Sequence, residues 1–470
     1  MKVMLVIPPQ TSYLGASAHK ALDEKREPRP WLGIFSIATS LQQACPFVEM
    51  RLVDCLAQNY TIEDLQREVE EFQPDLVGFT CLTFTYRDCL RSAAAIKRVS
   101  PRTRVCFGGF HVTLFPYETL AQDAVDFIVV GEGERTVIDL VTALQRSDVA
   151  LGTIAGLGFK HDGQPQLNAE REVAANLDSI PHPDYECVDV RLYSHVLGHG
   201  VNLALESSRG CPFQCTFCDV RKTKFRYRSA AEILAVMEKL YAKGVRSFFF
   251  VDDNFTVNKR RAIEFCNGVI SRGLKVDFKA SSRVDTVDEE LMERLKAAGC
   301  SRLSLGVESS QQRNLDFLKK GVTVAKIVQT LQTARRVKLP VFAYIILGFP
   351  GQTRQEMLDE VAFVKQQRVE FASFSVLTVY PKTELYRQCL ADGTLKNDPW
   401  PEFARNPESE MEAPIVNGRY GKEELKMIQL EATKKFYFSP RVLWHRIREV
   451  HTWGDLTRRA RLALRFFKGG

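Results

Sequence analysis

Ser207-Ser208-Arg209-Gly210-Cys211-Pro212-Phe213-Gln214-Cys215-Thr216-Phe217-Cys218 is the stretch on which the reading of this chain turns. It follows an apolar run at 201–206 with the pattern of a buried strand, so the three cysteines sit on a loop leaving that strand. Three thiols at C-x3-C-x2-C can wrap one face of a metal centre, and thiolates favour zinc or iron–sulfur clusters. A structural zinc site wants four ligands in a closed tetrahedron, and no fourth Cys or His lies close by in sequence. A cubane held by three thiolates leaves one iron open to a further ligand. The plainer alternatives are a chance cluster of cysteines, or a zinc site completed from afar.

Moving outward, strand patterns recur at 247–251, 276–280, 302–305, 341–347 and 372–377, with helical patterns between them. About six βα units predict an open barrel over 196–393, with its site at the carboxyl ends of the strands. Upstream, strand patterns at 3–7, 50–53, 76–80, 105–107 and 127–130 alternate with helices over 1–149. That rhythm predicts a doubly wound parallel sheet covered on both faces. Residues 150–195 break the rhythm with Gly163, Pro165, Pro181 and Pro183 and read as a connector. Residues 394–470 read as a helical C-terminal segment ending in a basic amphipathic tail.

Composition narrows the function classes. The chain has 470 residues, 45% hydrophobic and 26% charged, which suits two or three globular domains rather than a disordered or fibrous chain. No run approaches the roughly 18–20 apolar residues that cross a bilayer, and the opening apolar run is too short for a signal peptide. Twelve cysteines without an export signal argue against a disulfide scaffold and for a cytoplasmic place. Of the net charge of +7, residues 441–470 carry +6, leaving 56 bases against 55 acids in the other 440 residues. A main body so nearly neutral speaks against a nucleic-acid partner. The tail mixes aromatics with arginines, which suits either packing against the barrel or peripheral contact with an anionic membrane.

The cysteine string resembles the radical S-adenosylmethionine (SAM) superfamily. The resemblance implies that Cys211, Cys215 and Cys218 hold a 4Fe–4S cluster whose open iron chelates SAM. The cluster would then donate the electron that cleaves SAM to a 5′-deoxyadenosyl radical, with Phe217 beside the adenine. Later strings match the same family at successive strand ends. It implies SAM contacts from Asp252 and Asp253 at the amino end, from Ser281 and Arg283 at the carboxylate, from Glu308 with Ser309 at the ribose, and from the Gly348 turn at the adenine. An arginine suits a carboxylate through its bidentate fork. Taken singly, each string also reads as a cap, a solvated side chain or a turn.

The stretch from Trp31-Leu32-Gly33 to Gly131-Glu132-Gly133-Glu134 resembles the N-terminal domain of cobalamin-binding radical SAM proteins, and with the barrel the resemblance covers about residues 1–390. It implies a cobalamin cradle from Thr80 and Leu82 after the third strand, Gly108 and Gly109 after the fourth, and Gly131, Glu132 and Gly133 before the next helix. Proteins that ligate cobalt through histidine carry D-x-H-x-x-G after the second strand. Here Asp54-Cys55-Leu56-Ala57-Gln58-Asn59 puts Leu56 at the histidine position, which implies cobalamin held without a protein histidine.

The resemblance implies methylation of an unactivated carbon or phosphorus centre on a small-molecule substrate, with a hydrophobic or lipid metabolite among the candidates and flavodoxin or ferredoxin as electron donor. An oxidative cyclase or rearrangement enzyme using the same cofactors stays open, as does a non-catalytic cobalamin or redox sensor. The other nine cysteines show no ligand spacing; Cys81, Cys106 and Cys300 read as buried small hydrophobes.

Overall fold

The structure is a computed structural model describing residues 1–10, 29–146, 150–194, 200–220, 224–408 and 411–448. The chain divides into two compact units. The first holds Met1–Leu14, Pro28–Tyr193 and Asp398–Glu412; the second holds the remainder.

The first unit is built on a seven-stranded sheet with the order β2-β1-β3-β4-β5-β6-β7. Its strands are β1 (Lys2–Ile7), β2 (Glu49–Asp54), β3 (Leu76–Thr80), β4 (Arg104–Gly108), β5 (Phe127–Val129), β6 (Leu157–His161) and β7 (Gln164–Leu167). β1 to β5 are parallel, and the order reverses between β1 and β3, where open α/β sheets bind ligands. Strands buried on both faces need continuous apolar side chains, and Val3 to Ile7 are all buried. The intervening helices begin where short polar side chains satisfy free N–H groups. Thr61 and Asp64, for example, form a reciprocal capping box at Ile62–Phe72.

Two expectations change in this unit. Residues 157–167 are not a connector: they form the antiparallel pair β6 and β7, added to the sheet beside β5. An antiparallel edge of short, half-polar strands lacks the apolar run of a buried strand, so its pattern is weak. Residues 398–412 likewise belong to the first unit rather than to a C-terminal segment. Phe403 of the helix Pro399–Arg405 lies in the core with Phe79, Tyr86, Phe107 and Ile96, and the Tyr86 hydroxyl donates to the Ala404 carbonyl at 3.0 Å.

The second unit is built on a six-stranded parallel sheet with the order β15-β14-β13-β12-β11-β8. These strands are β8 (Asn202–Leu205), β11 (Ser247–Phe250), β12 (Asp277–Arg283), β13 (Cys300–Glu308), β14 (Val341–Leu347) and β15 (Phe371–Val376). A two-stranded antiparallel ribbon, β9 (Ser208–Arg209) with β10 (Arg226–Tyr227), closes the base of the cysteine loop. This is the sheet of the expected partial (β/α)6 barrel. The outer strand β15 would present open carbonyls; the helix Lys422–Tyr437 covers them, Gln429 donating to the Phe374 carbonyl at 2.7 Å and the Tyr437 hydroxyl to that of Ala372 at 2.8 Å. Phe436 and Val442 are buried here, so the start of the expected amphipathic tail packs against protein; residues 449–470 lie outside the described residues. Among the described residues, no helix is long and apolar enough to cross a membrane.

Gly109 lets the chain leaving β4 lie against the chain leaving β3 by its lack of a side chain. Its φ is +101°, and a Cβ there would lie 2.8 Å from the Cys81 carbonyl oxygen, whereas a Cβ at Gly108 would find its nearest neighbour at 3.8 Å. Gly109→Ala should therefore destabilise the protein by about 1–3 kcal/mol and Gly108→Ala by well under half of that, read from urea unfolding followed by circular dichroism. Equal losses would show that the close approach is not what requires glycine.

Candidate active site

Because the barrel strands run parallel, the residues that follow them gather along one edge of the second unit's sheet. The cysteine loop leaves β8 there, and Gly210 turns it with φ +82°. The loop is anchored at both ends and in the middle. At its start, the buried Asp252 carboxylate accepts the Ser207 N–H at 2.8 Å, the Ser207 hydroxyl, and the Ser208 hydroxyl at 2.6 Å. Arg261, also buried, donates to the Ser207 hydroxyl at 2.7 Å and to the Ser207 and Phe255 carbonyls. At its end, the Arg228 N–H returns to the Ser207 carbonyl at 2.9 Å. In its middle, buried Thr216 donates its N–H to the Leu318 carbonyl and its hydroxyl to that of Phe317, while its own carbonyl accepts from Leu385.

The three thiols differ. Cys215 is buried and Cys211 and Cys218 are half-buried. Burial pushes the Cys218 thiol up to about 12 and raises that of Cys211, with the nearby cysteines adding to both shifts. Such thiols are protonated at neutral pH unless a metal takes the proton's place. Among the described residues, no three His, Cys, Asp or Glu side chains converge tightly enough for a single metal ion. A four-iron cubane, with each thiolate on its own iron, asks for neighbouring but separate sulfurs, and the donor set fits it.

The predicted SAM residues fall into two groups. Phe217, Asp253 and Ser281 stand at this edge without being absorbed into a packing role, and Gly348 is buried there against Leu425 and Val376. Asp253 is exposed; partial desolvation by the surrounding chain, then the charges of Asp252 and Asp219, raise its carboxyl to about 6. Gly348 adopts φ +82°, and Gln352 holds its turn by accepting the N–H groups of Gly348 and Phe349. The other group is engaged with protein. Asp252 is the loop anchor just described. The Ser309 hydroxyl donates to the buried Glu360 carboxylate and accepts from Gln311 and Asn314, so its bonding capacity is filled. Glu308 sits at φ +64°, where the β13–β14 register shifts, a conformation costing about 1–3 kcal/mol. Its carboxylate pairs with Lys320 at 2.6 Å, both side chains buried. A Cβ at Gly306 would lie 2.5 Å from that carboxylate and 2.8 Å from the ammonium, so the glycine makes room for the pair.

Arg283 is engaged most heavily. Its fork pairs with Asp285 at 2.9 and 2.8 Å, Nη2 also donates to the Lys320 carbonyl at 2.6 Å, and Nη1 donates to Cys215 Sγ at 3.3 Å. The sequence reading missed Lys320 and Asp285. Asp285, two residues past Arg283, was a signal within reach; nothing in Lys319-Lys320 marks the second lysine.

The first unit's ligand edge carries its own cradle. Thr80 and Gly108 face each other in register, and Leu82 opens the turn after β3. Gly131, at φ +79°, has nothing within 4 Å of its Cβ position, though its N–H is already given to the Thr113 hydroxyl. Glu132 and Gly133 lead into the helix Glu134–Arg146, and Gly133 packs on Ile37 and Val129. Exposed Phe84 and Phe110 follow β3 and β4, and Trp31 stands 6.3 Å from Phe84, an apolar rim that the sequence reading did not single out. Beside it the histidine-free string is closed off. Asp54 accepts the Tyr193 hydroxyl at 2.7 Å and the Ala57 N–H at 2.9 Å, so the carboxylate that would orient a ligating histidine is otherwise employed. His111 is buried and stacks on Tyr86 at 3.9 Å; burial lowers its imidazole to about 3, which keeps it neutral. An open glycine edge, an apolar rim and, among the described residues of the histidine-free string and the chain after β4, no offered imidazole fit cobalamin held without a protein nitrogen on cobalt.

The Radical SAM superfamily model matches residues 205–364, and the B12 binding domain model matches residues 26–141. An uncharacterised methyltransferase of Pyrococcus horikoshii is 30% identical over 466 residues, 98% of this chain and 97% of the relative. The chain belongs to the cobalamin-binding radical SAM superfamily. It is a radical SAM enzyme, with 4Fe–4S, SAM and cobalamin as its cofactors. The anaerobic magnesium-protoporphyrin IX monomethyl ester cyclase of Cereibacter sphaeroides is 29% identical over 73% of this chain, which spans only 57% of the cyclase's length. The structure of the radical SAM methyltransferase TsrM from Kitasatospora setae, with cobalamin and a 4Fe–4S cluster bound, superposes with a TM-score of 0.74. It covers 100% of this chain and 98% of its own at 15% identity, a likeness of fold.

The buried Glu308–Lys320 pair can be tested by breaking it. Lys320→Met leaves an unpaired buried carboxylate and should cost about 3–5 kcal/mol, and adding Glu308→Gln should recover much of that. Chemical unfolding of the single and double variants measures both; a single variant as stable as the parent would refute the pairing.

Proposed function

We propose that this enzyme transfers a SAM-derived methyl group through cobalamin to an unactivated carbon or phosphorus centre of a small-molecule substrate. The observation that carries the reading is the end-to-end relationship with the Pyrococcus methyltransferase, where the cyclase is matched over barely more than half its length. When bound, the cluster and cobalamin supply the radical-forming electron and the methyl carrier.

This chain's residues hold, orient and shield. Cys211, Cys215 and Cys218 hold the cluster. Asp253, with Glu206 and Asp219 about it, offers negative charge to the amino end of SAM, Ser281 and the Gly348 turn line its path, and Phe217 packs on the adenine. Arg283, its fork already taken by Asp285, keeps one unused N–H for the SAM carboxylate, a weaker grip than a bidentate clamp. Glu308 meets the ribose hydroxyls from within its Lys320 pair, which holds it in place. Thr80, Leu82, Gly108, Gly109, Gly131, Glu132 and Gly133 form the cobalamin cradle, with Trp31, Phe84 and Phe110 as its apolar rim. The reading includes a low-potential donor of the flavodoxin or ferredoxin kind, a cytoplasmic place, and a hydrophobic metabolite as substrate. Membrane contact through residues 449–470 is its outer extension. Cyclisation or rearrangement is the second reading, favoured by the cyclase's 29% identity.

Reconstituted protein assayed anaerobically with SAM, cobalamin and a strong reductant should form 5′-deoxyadenosine together with cobalamin-dependent S-adenosylhomocysteine, and Cys215→Ala should form no 5′-deoxyadenosine. Products are counted by mass spectrometry; 5′-deoxyadenosine alone would move the assignment to cyclisation. With Leu56 in place of histidine, the electron paramagnetic resonance (EPR) spectrum of bound cob(II)alamin should lack coupling to a protein nitrogen. A resolved nitrogen splitting that changes from triplet to doublet when the protein carries 15N and the cobalamin is at natural abundance would contradict this.

A further inference from the structure

We propose that Arg283 is a positioning residue that sets the reduction potential of the cluster, by donating an N–H from Nη1 to Cys215 Sγ. The proposal rests on the cluster reading given above and goes beyond it. Cys215 differs from the other two ligands because it alone is buried, so water cannot solvate its thiolate as it can those of Cys211 and Cys218. It is also the one that receives a guanidinium, at 3.3 Å. Arg283 is 6% exposed as a residue, and four of the donor bonds of its guanidinium are used, two on Asp285, one on the Lys320 carbonyl and one on the sulfur. Phe213, two residues before Cys215, lies beneath it at 3.9 Å. The cysteine loop therefore grips Arg283 with a ring and a sulfur, while Asp285 in the turn after β12 and the Lys320 carbonyl after the helix Gln312–Phe317 take its other donors.

An arginine present only to pair with Asp285 would have no need of this burial. Asp285 is the more exposed partner, 26% against 8% for the side chains, so water screens its charge more than that of Arg283. At the sulfur, the positive end of the pair dominates. One-electron reduction, with the electron from an external low-potential donor, adds a negative charge to the cluster, and a donor hydrogen bond to a ligating sulfur favours the more negative state. Arg283 thus raises the potential and makes the cluster easier to reduce. Lys320 completes the arrangement, since its carbonyl holds Arg283 while its ammonium holds Glu308.

The test is an EPR-monitored redox titration of the full chain with its cluster reconstituted and SAM absent. In Arg283→Gln, the reduced-to-oxidised ratio at the wild-type midpoint should fall about tenfold, a shift of about 59 mV for a one-electron couple. Arg283→Lys, which keeps the charge, should fall less. A Gln variant with wild-type iron content and an unchanged midpoint overturns the proposal. Should that variant not load, wild-type protein labelled with 15N-arginine decides. Electron–nuclear double resonance of the reduced cluster should show one coupled arginine nitrogen, and its absence overturns the proposal equally. A wild-type chain that takes up no four-iron cluster would instead remove the cofactor reading on which the proposal rests.

Discussion

The cysteine loop depends on a buried negative charge. Asp252, at the end of β11, is 4% exposed, and an unpaired carboxylate there would be untenable. Three donors from Ser207 and Ser208 satisfy it, and Arg261 reaches the same serine from the following helix. This arrangement joins the ends of the two neighbouring strands β8 and β11 and gives the loop a fixed starting direction. Everything that follows, from the turn at Gly210 to the placement of the three thiols, inherits that direction. The seryl hydroxyls matter because each can accept or donate while the carboxylate only accepts.

A second set of contacts fixes the middle of the loop through the segment 317–320. Thr216 is tied to Phe317 and Leu318, and Arg283 to Lys320. The same short segment therefore governs where Cys215 lies and what its sulfur touches, through Phe317, Leu318 and Lys320. Preorganisation of this kind spares the site reorganisation when charge moves, which is where electrostatic stabilisation is most effective. In the first unit the corresponding constraint is steric. Gly109 lets the chain after β4 lie against Cys81, and the core behind it is closed by the Tyr86–His111 stack and by Phe403.

Much of the fold was legible because its signals are local. The helices Ile62–Phe72, Tyr86–Val99, Ala230–Ala242, Lys259–Ser271 and Val324–Val337 fall between the strand patterns where helical periodicity is read, since each carries a buried stripe. The parts that escaped are those whose stability comes from elsewhere. β6 and β7 are short and half-polar, and pair only because β5 offers an edge. The helix Pro399–Arg405 is too short to announce itself and is held by Tyr86, 318 positions away from its partner Ala404.

By itself the sequence determined the alternation of strands and helices, the strand ends at which polar residues gather, and a thiol spacing that suits a cluster. Those follow from backbone periodicity and ligand geometry within a dozen residues. Tertiary structure alone decided what each polar residue does there. Arg283 meets Cys215 across 68 positions, Ser309 meets Glu360 across 51, and Tyr193 meets Asp54 across 139. A carboxylate or guanidinium carries the same letter whether it faces a cofactor or a buried partner. Burial decides between the two, because a charge removed from water must find its counterpart in the protein, and only the folded chain determines which counterpart is within reach.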